Sequence, residues 1–505
     1  MLFGQGFFSG ELTEQNILEF VNNRRMKAED LYRPFFARTK RWYNTTRGII
    51  SGNSFSNRND VSIPMLFSYI MSDVAAKSEA LFGGSNIVEF IPTNSAEGPI
   101  ARKNTKLVNL QLDDSKTYQK GVDFLMSASI YGTGIARLTW KHEERAKLYR
   151  TRVLDQEMVV KDMQVTFDGP DWNVVDILDF LPEPGKVRLE DCEWVVHTFY
   201  VDLDTLLEMQ YTSGVPMFDP NSVQRLLEKP MTLEQRDAWK NRMTTYRTAT
   251  DLNNRLAMPF SKPVRIDEYW GLVPKELAIN GDRNLVITVA NSSVVLRYEP
   301  NPFWNSRIPF LIYTPMPDMH ALHGTGKAEI ADKVQSTINR LANIKLDALE
   351  IFAAPMFGVN DQANIDGQTL IARPGKLIKV NGDDIGKALM PISPDVQALN
   401  MLYTEIQQLG MFQQQGVGID NSAIQGMEGP SRETARGFFG RRDAAMSRLK
   451  SEANLAGRMF VAPLAQWCRE ADRQFLDLPK QVRMIGQDAV IDQATGQLIQ
   501  QDSIS

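Results

Sequence analysis

Residues 326–475 set down one fixed order: two amphipathic helices bracket a short insert punctuated by Pro and Gly, a Gly- and Gln-rich stretch follows, and one long helix closes the run. That order restricts the fold more than any short motif, because it describes a stalk with a small cap at one end and a loop at the other. In the first helix Ile330, Val334, Ile338, Leu341, Lys345, Leu349 and Phe352 recur at steps of three and four, so they share one face with the lysine as its lone polar interruption. At ~1.5 Å per residue that helix is about 40 Å long. The second repeats the rule through Val396, Leu399, Leu402, Ile406, Leu409 and Phe412. Ala354-Pro355 and Pro394-Asp395 punctuate the chain on either side of the insert, since proline cannot continue a helix and biases its predecessor toward extended geometry. Inside the insert, Met356–Val359 and residues 376–380 read as short strands divided by turn signals at Asp366-Gly367, Pro374-Gly375 and Asn381-Gly382.

After the second helix, Gln413, Gln414, Gln415, Gly416, Gly418, Gln425, Gly426 and Gly429 leave few large apolar groups, and the composition predicts a mobile loop. Helix resumes at Ser431, a good N-cap residue. Ala435, Phe438, Arg442, Met446, Leu449, Ala453, Ala456, Phe460, Leu464, Trp467, Ala471 and Phe475 then hold helical spacing. That run is about 60 Å long. Pro463 lies inside it and predicts a kink in the preceding turn.

Upstream of the stalk the chain reads as mixed helix and strand. Residues 12–44 form a helical pattern that ends in a basic, aromatic stretch. Arg24, Arg25, Lys27, Arg33, Arg38, Lys40, Arg41 and Arg47 stand there against only Glu29 and Asp30. A phosphate-contacting patch and a solvated helix face both fit, the second being the commoner meaning. Residues 64–82 and 103–129 read as two more helices, the first stopped by Gly83-Gly84. Strands are expected at residues 135–141, 174–178, 194–200 and 264–272, and a hairpin joins 285–290 to 294–298 across Asn291-Ser292-Ser293. Residues 201–211 suggest a short helix, 212–254 a polar helical excursion and 489–499 a terminal hairpin.

Composition bounds what such a chain does. With 505 residues the length prior is about three domains. A net charge of −5 argues against a generally basic nucleic-acid binder. Cys192 and Cys468 offer neither zinc-ligand spacing nor a disulfide framework. No apolar run approaches the ~20 residues that cross a bilayer, and the first ten residues lack the basic start of a secretory signal, so no membrane insertion is expected.

The short motifs that suggest chemistry fail on spacing. A phosphate loop needs four residues between its two glycines and Ser or Thr after its lysine, whereas Gly324-Thr325-Gly326-Lys327 has Ala321 and Ala328 at those positions. Gly132-Thr133-Gly134 lacks a third glycine and precedes a strand where the dinucleotide turn requires a helix. His320 and His323 have no carboxylate or cysteine at metal spacing. Asp202 with Asp204, and Asp383 with Asp384, fit solvated loop or helix-start positions better than a divalent ion. Four histidines without a paired nucleophile give no triad. The expectation is a non-enzyme with no catalytic residue, no cofactor and no metal.

A resemblance becomes specific at four places. Ser62-Ile63-Pro64-Met65-Leu66, leading into Lys77-Ser78-Glu79-Ala80-Leu81-Phe82-Gly83-Gly84, resembles the early wing helix of tailed-bacteriophage portal proteins, or head-tail connectors. His323-Gly324-Thr325-Gly326-Lys327-Ala328-Glu329-Ile330 and Asn339-Arg340-Leu341-Ala342-Asn343 are similar to that family's first stem helix. Arg373-Pro374-Gly375-Lys376-Leu377-Ile378-Lys379-Val380 resembles a clip strand of the podophage type. Gly416-Val417-Gly418-Ile419 through Arg432-Glu433-Thr434-Ala435-Arg436-Gly437 resembles the loop and the start of the kinked helix.

The resemblance implies a ring-forming, multidomain α+β portal fold. Its parts would be a mixed α/β wing (1–325), stem helix (326–353), small α/β or β clip (354–394), second stem helix (395–415), tunnel loop (416–430), long kinked helix (431–476) and a short crown or tail (477–505). It implies a homo-oligomer, usually a dodecamer, at one capsid vertex of the virion, assembled in the host cytoplasm. Double-stranded DNA would pass through an axial channel during packaging and ejection. Terminase and then tail adaptor proteins would dock on the clip, with major capsid and scaffolding proteins around the ring. Arg340, Lys345, Gln413, Gln414, Gln415, Gly416, Gly418 and Gln425 become channel candidates. Arg373, Lys376, Lys379, Asp383 and Asp384 become candidates for the clip's partner surface.

A conduit must hold a polyanion loosely, and twelve copies of a −5 chain carry about −60 by formal count, which repels DNA toward the axis. Arg340 and Lys345 fit local basic rings, and equally fit ion pairs with Asp347 or Glu350 of a neighbouring subunit. A minor capsid or scaffold protein without a channel, and a nucleotide-binding packaging enzyme, are the other readings.

Overall fold

The first helix, α1 (Glu14–Arg47), turns Ile17, Leu18 and Val21 into a core built with much later sequence. The computed structural model describes residues 13–49, 59–92, 94, 97–153, 156–211, 218–228, 232, 263–353, 356–359, 389–392, 396–418 and 447–476, with strand pieces at 480–481, 490–491, 498–499 and 503–504. After α1 come α2 (Met65–Phe82), α3 (Gly98–Asp114), α4 (Thr117–Tyr131), β1 (Gly134–Val153), β2 (Gln156–Val175), β3 (Phe180–Pro182), β4 (Trp194–Asp202), α5 (Leu203–Tyr211) and α6 (Pro220–Glu228). The chain continues through β5 (Pro263–Leu272), β6 (Asn284–Ala290), β7 (Val294–Pro300), β8 (Phe310–Tyr313), α7 (Lys327–Ala353), β9 (Met356–Val359), β10 (Leu389–Ile392) and α8 (Val396–Val417). The last long helix is described from residue 447, passes through a π-helical turn at Gly457–Val461 and ends as α9 (Ala462–Phe475). Two short ladders follow, β11 (Lys480–Gln481) with β14 (Ser503–Ile504), and β12 (Val490–Ile491) with β13 (Leu498–Ile499). The fold is therefore mixed α+β, and its described strand pairs are antiparallel.

Two compact units divide the chain. One comprises Met1–Arg41, Ile70–Lys327 and Met446–Ser505; the other comprises Trp42–Tyr69 and Ala328–Ala445.

The first unit holds a five-stranded sheet in the order β3-β4-β5-β6-β7, rich in β-branched and aromatic residues that suit a pleated, buried surface. Alternation along β6 sends Leu285, Ile287 and Val289 to the cluster capped by α1, while Ala290 joins Val264, Ile266, Val294 and Leu296 against α5 and α6. The β6–β7 hairpin closes through Asn291 (φ 47°) and Ser292 (φ 54°), the paired left-handed conformations that match the strands' twist. A second sheet, β2-β1-β8, packs through an aromatic group in which Phe460 of the π-helical turn lies 4.1 Å from Phe124 and 5.0 Å from Trp172, ring centre to ring centre.

Several expectations need correcting here. The helix expected over 103–129 is two, because Lys116 adopts a left-handed φ of 57° and breaks the ladder between α3 and α4. The strand expected at 135–141 extends through a hairpin twenty residues long on each side. The strand expected at 174–178 stops at Val175, since the Asp176 carboxylate accepts the Leu178 N–H and turns the chain. Of the basic stretch of α1, two residues are packed inward: the Arg24 guanidinium lies 5.2 Å from the Trp194 ring, and Arg25 pairs with Glu29 and reaches buried Asp267 at 3.8 Å. Lys27, Arg33, Arg38, Lys40, Arg41 and Arg47 are exposed, as a solvated helix face has them.

The two Gly-x-Gly segments that failed as nucleotide motifs meet one another. Gly132 ends α4 at φ 79°, and a Cβ there would stand 2.2 Å from the Gly324 carbonyl oxygen. A Cβ on Gly326 would stand 2.1 Å from the Ile130 carbonyl oxygen. Only hydrogen fits between these backbones. Gly326→Ala is therefore expected to destabilise the protein by about 3 kcal/mol or more in urea unfolding. Gly98→Ala, where no atom lies within 4 Å, should stay within ~0.5 kcal/mol.

Candidate functional site

In the second unit an unbroken polar row runs along α7. Gln335, Asn339, Asn343 and Asp347 recur every fourth residue and therefore share a face. Each accepts a backbone N–H from residues 59–66, the approach to α2 and its first turn: Leu66 to Gln335 Oε1 at 3.3 Å, Ile63 to Asn339 Oδ1 at 3.2 Å, Val61 to Asn343 Oδ1 and Asn59 to Asp347 Oδ1, both at 2.8 Å. The amides donate in return, Gln335 Nε2 to the Ile63 carbonyl at 2.7 Å and Asn343 Nδ2 to the Val61 carbonyl at 3.1 Å. Main-chain groups of residues 59–63, which lie in no helix or strand, are thus met by side chains, and the amides among them supply both a donor and an acceptor. Sequence reasoning missed this ladder, although its spacing of four was visible.

The ladder also takes in a residue expected on the channel wall. Gln413 of α8 is buried (2% exposed) and donates Nε2 to Gln335 Oε1 at 3.0 Å. Its neighbour Phe412, expected in the apolar stripe, is 60% exposed. The helix phase that buries Gly410, Gln413 and Val417 turns Phe412 outward, so the two roles are exchanged. Gln414 is half-buried and donates to the Tyr69 hydroxyl at 3.2 Å, while Gln415 is exposed. Gly416 lies in the last turn of α8, and Gly418 at φ 76° ends the helix by donating to the Gln414 carbonyl at 2.9 Å. The helix therefore runs two residues past the end expected at 415.

Arg340 is exposed and forms no ion pair among the described residues. Lys345 is half-buried with its ammonium 4.7 Å from the centre of the Tyr403 ring, which joins α7 to α8 by a cation–π contact. Gln425, Arg373, Lys376, Lys379, Asp383 and Asp384 lie outside the described residues. Pro463 is in the first turn of α9 just after the π-helical turn, which stands where the kink was expected and accommodates the missing N–H.

Lys327, the lysine that invited a phosphate-loop reading, is enclosed within the first unit. Its ammonium lies 2.5 Å from Asp73 Oδ1 and 3.2 Å from Glu452 Oε2. Lys77 completes the group at 2.9 Å from Asp73 Oδ2 and 2.5 Å from Glu452 Oε2, and Ser129 donates to Asp73 Oδ2 at 2.7 Å. Burial alone would raise the Asp73 pKa, yet Lys327 and Lys77 hold it below its ordinary value. For Lys77, burial is outweighed by Asp73 and Glu452, which raise it. For Lys327, burial prevails over both carboxylates, Lys77 adds repulsion, and the pKa is lowered. A phosphate would have to displace a carboxylate already within contact distance.

His323 closes the same region. Its ring stacks on Phe35 at 4.5 Å with a 9° tilt, meets Tyr32 edge-on, and has Nδ1 3.3 Å from Thr133 Oγ1. With no carboxylate in contact among the described residues, burial pulls its pKa from 6.5 down to about 4.

Long helices and antiparallel sheets make this a mixed α+β protein. Residues 155–495, about two-thirds of the chain, match the family described as Phage SU10 portal protein, and the chain belongs to that family of tailed-phage portal proteins. These are the head-tail connectors of bacteriophage DNA packaging. Among the described residues no helix is long and apolar enough to cross a membrane.

The depressed His323 pKa fixes the sign of a pH effect. Below pH 6.5 the unfolded chain binds a proton that the folded one refuses until about pH 4, so stability falls as pH drops through that window. His323→Phe should abolish about 3 kcal/mol of that loss. Urea unfolding at pH 7 and pH 4.5 measures it; an unchanged pH dependence in the variant would contradict the assignment.

Proposed function

We propose that copies of this chain close into a ring, a dodecamer by family precedent, whose axial channel carries double-stranded DNA into and out of the capsid. The observation that carries the reading is the family match over residues 155–495. In it, residues 1–325 form the wing, α7 and α8 the two stem helices, residues 354–394 the clip, 416–430 the tunnel loop, and 477–505 a short crown or tail. Terminase docks on the clip during packaging and tail adaptor proteins replace it, with Arg373, Lys376, Lys379, Asp383 and Asp384 on the docking surface. Capsid and scaffolding proteins surround the ring at the virion vertex. The protein works through shape and weak contact and catalyses nothing.

The stem helices support a surface for further copies. In one chain Met401 is 73% exposed, and Phe352, Met411 and Phe412 are also exposed, apolar groups that a neighbouring copy would cover. Arg340, Gln415 and Gly416 are the exposed ones among the described channel candidates. Lys345 is committed to Tyr403 and contributes to helix pairing first.

Negative-stain microscopy and native mass measurement of the purified full chain test the proposal. Closed rings with an axial hole are expected. Persistent monomers or dimers at micromolar concentration would count against a channel and favour a minor capsid or scaffold role.

A further inference from the structure

The group formed by Asp73, Lys77, Lys327 and Glu452 lies wholly within the first unit. Its geometry is unusual for structural support. Four charged side chains, each almost fully buried, come from three elements far apart in sequence: α2, the first residue of α7, and the helix that continues into α9. An apolar quartet of equal volume would stabilise such a place as well or better. What ions add is selectivity. The group is neutral only with both ammonium groups present, and a slip of α7 by one residue would bring Gly326 or Ala328 to the place of Lys327, leaving two buried carboxylates for one lysine. The flanking backbone cannot absorb such a slip, because Gly324 and Gly326 already touch Gly132 and Ile130. Arg448, half-exposed with Nε 3.4 Å from Glu452 Oε1, is a further cation at the surface side of the group.

We propose that this group is a latch: a charge-balanced clasp that fixes the register in which α7 begins, and that opens locally, before the rest of the unit unfolds, when its balance is broken. Lys327 is the first residue of α7, so the clasp holds the point at which that helix starts.

Hydrogen exchange on the full-length chain tests it with Lys327→Met and the balanced double variant Lys327→Met/Asp73→Asn. In the single variant, amides of residues 326–340 should lose at least about 100-fold in protection while β4 to β6 stay unchanged. The double variant, neutral again through Lys77 and Glu452, should recover to within about tenfold of the original. In the unmodified chain, residues 326–340 should open at lower urea than β4 to β6. Equal loss across the sheet, or a single variant that does not fold, would make the group a support of the whole unit and overturn the latch. A double variant as unprotected as the single, or one that does not fold, would show that packing and not charge balance matters. Unchanged exchange in the single variant would overturn it outright.

Discussion

The start of α7 depends on two kinds of closeness at once. Backbone meets backbone at Gly132, Gly324 and Gly326 with no room for a Cβ, and immediately afterwards Lys327 enters a buried set of opposite charges. Each contact resists displacement on its own ground: the glycine crossing leaves room only for hydrogen, and a shift of Lys327 would strand charge in a low-dielectric interior. The helix carrying the polar ladder and Lys345 therefore begins at a place determined by both.

Much of this was legible in the sequence, for particular reasons. The apolar periodicity of α7 and α8 located both helices to within about two residues, because a repeated stripe survives small errors of phase. The same stripe misplaced Phe412 and Gln413, since hydropathy assigns every apolar residue inward and cannot see that an amide has a polar partner waiting at Gln335. The β1–β2 hairpin was mostly unread: Lys141, His142, Glu143 and Glu144 are exposed or half-exposed, and a ribbon with little buried surface lacks the alternation that announces a strand. The break at Lys116 carried no glycine or asparagine to signal a left-handed turn.

The candidate site was read less well than the fold. Phosphate-loop and dinucleotide motifs were set aside on spacing, and packing supplied the positive reason: the two glycine segments are each other's partners. Asp73 and Glu452 lie too far from Lys327 in sequence for any local pattern to join them. Conversely, the basic stretch of α1 drew attention through charge density alone, while Arg24 stacks on Trp194 and Arg25 reaches Asp267. Counting charges measures what a chain can offer to solvent, and tertiary structure decides how much of it remains on offer.

The ladder of Gln335, Asn339 and Asn343 has one further consequence. Its contacts to residues 59–66 and to Gln413 are dipolar, with Asp347 as the only charged rung. Counterions screen charges and leave neutral amide hydrogen bonds nearly untouched. The seam between α7 and residues 59–66 is therefore close to indifferent to ionic strength, so added salt that loosens the ion pairs elsewhere in the molecule leaves this contact in place.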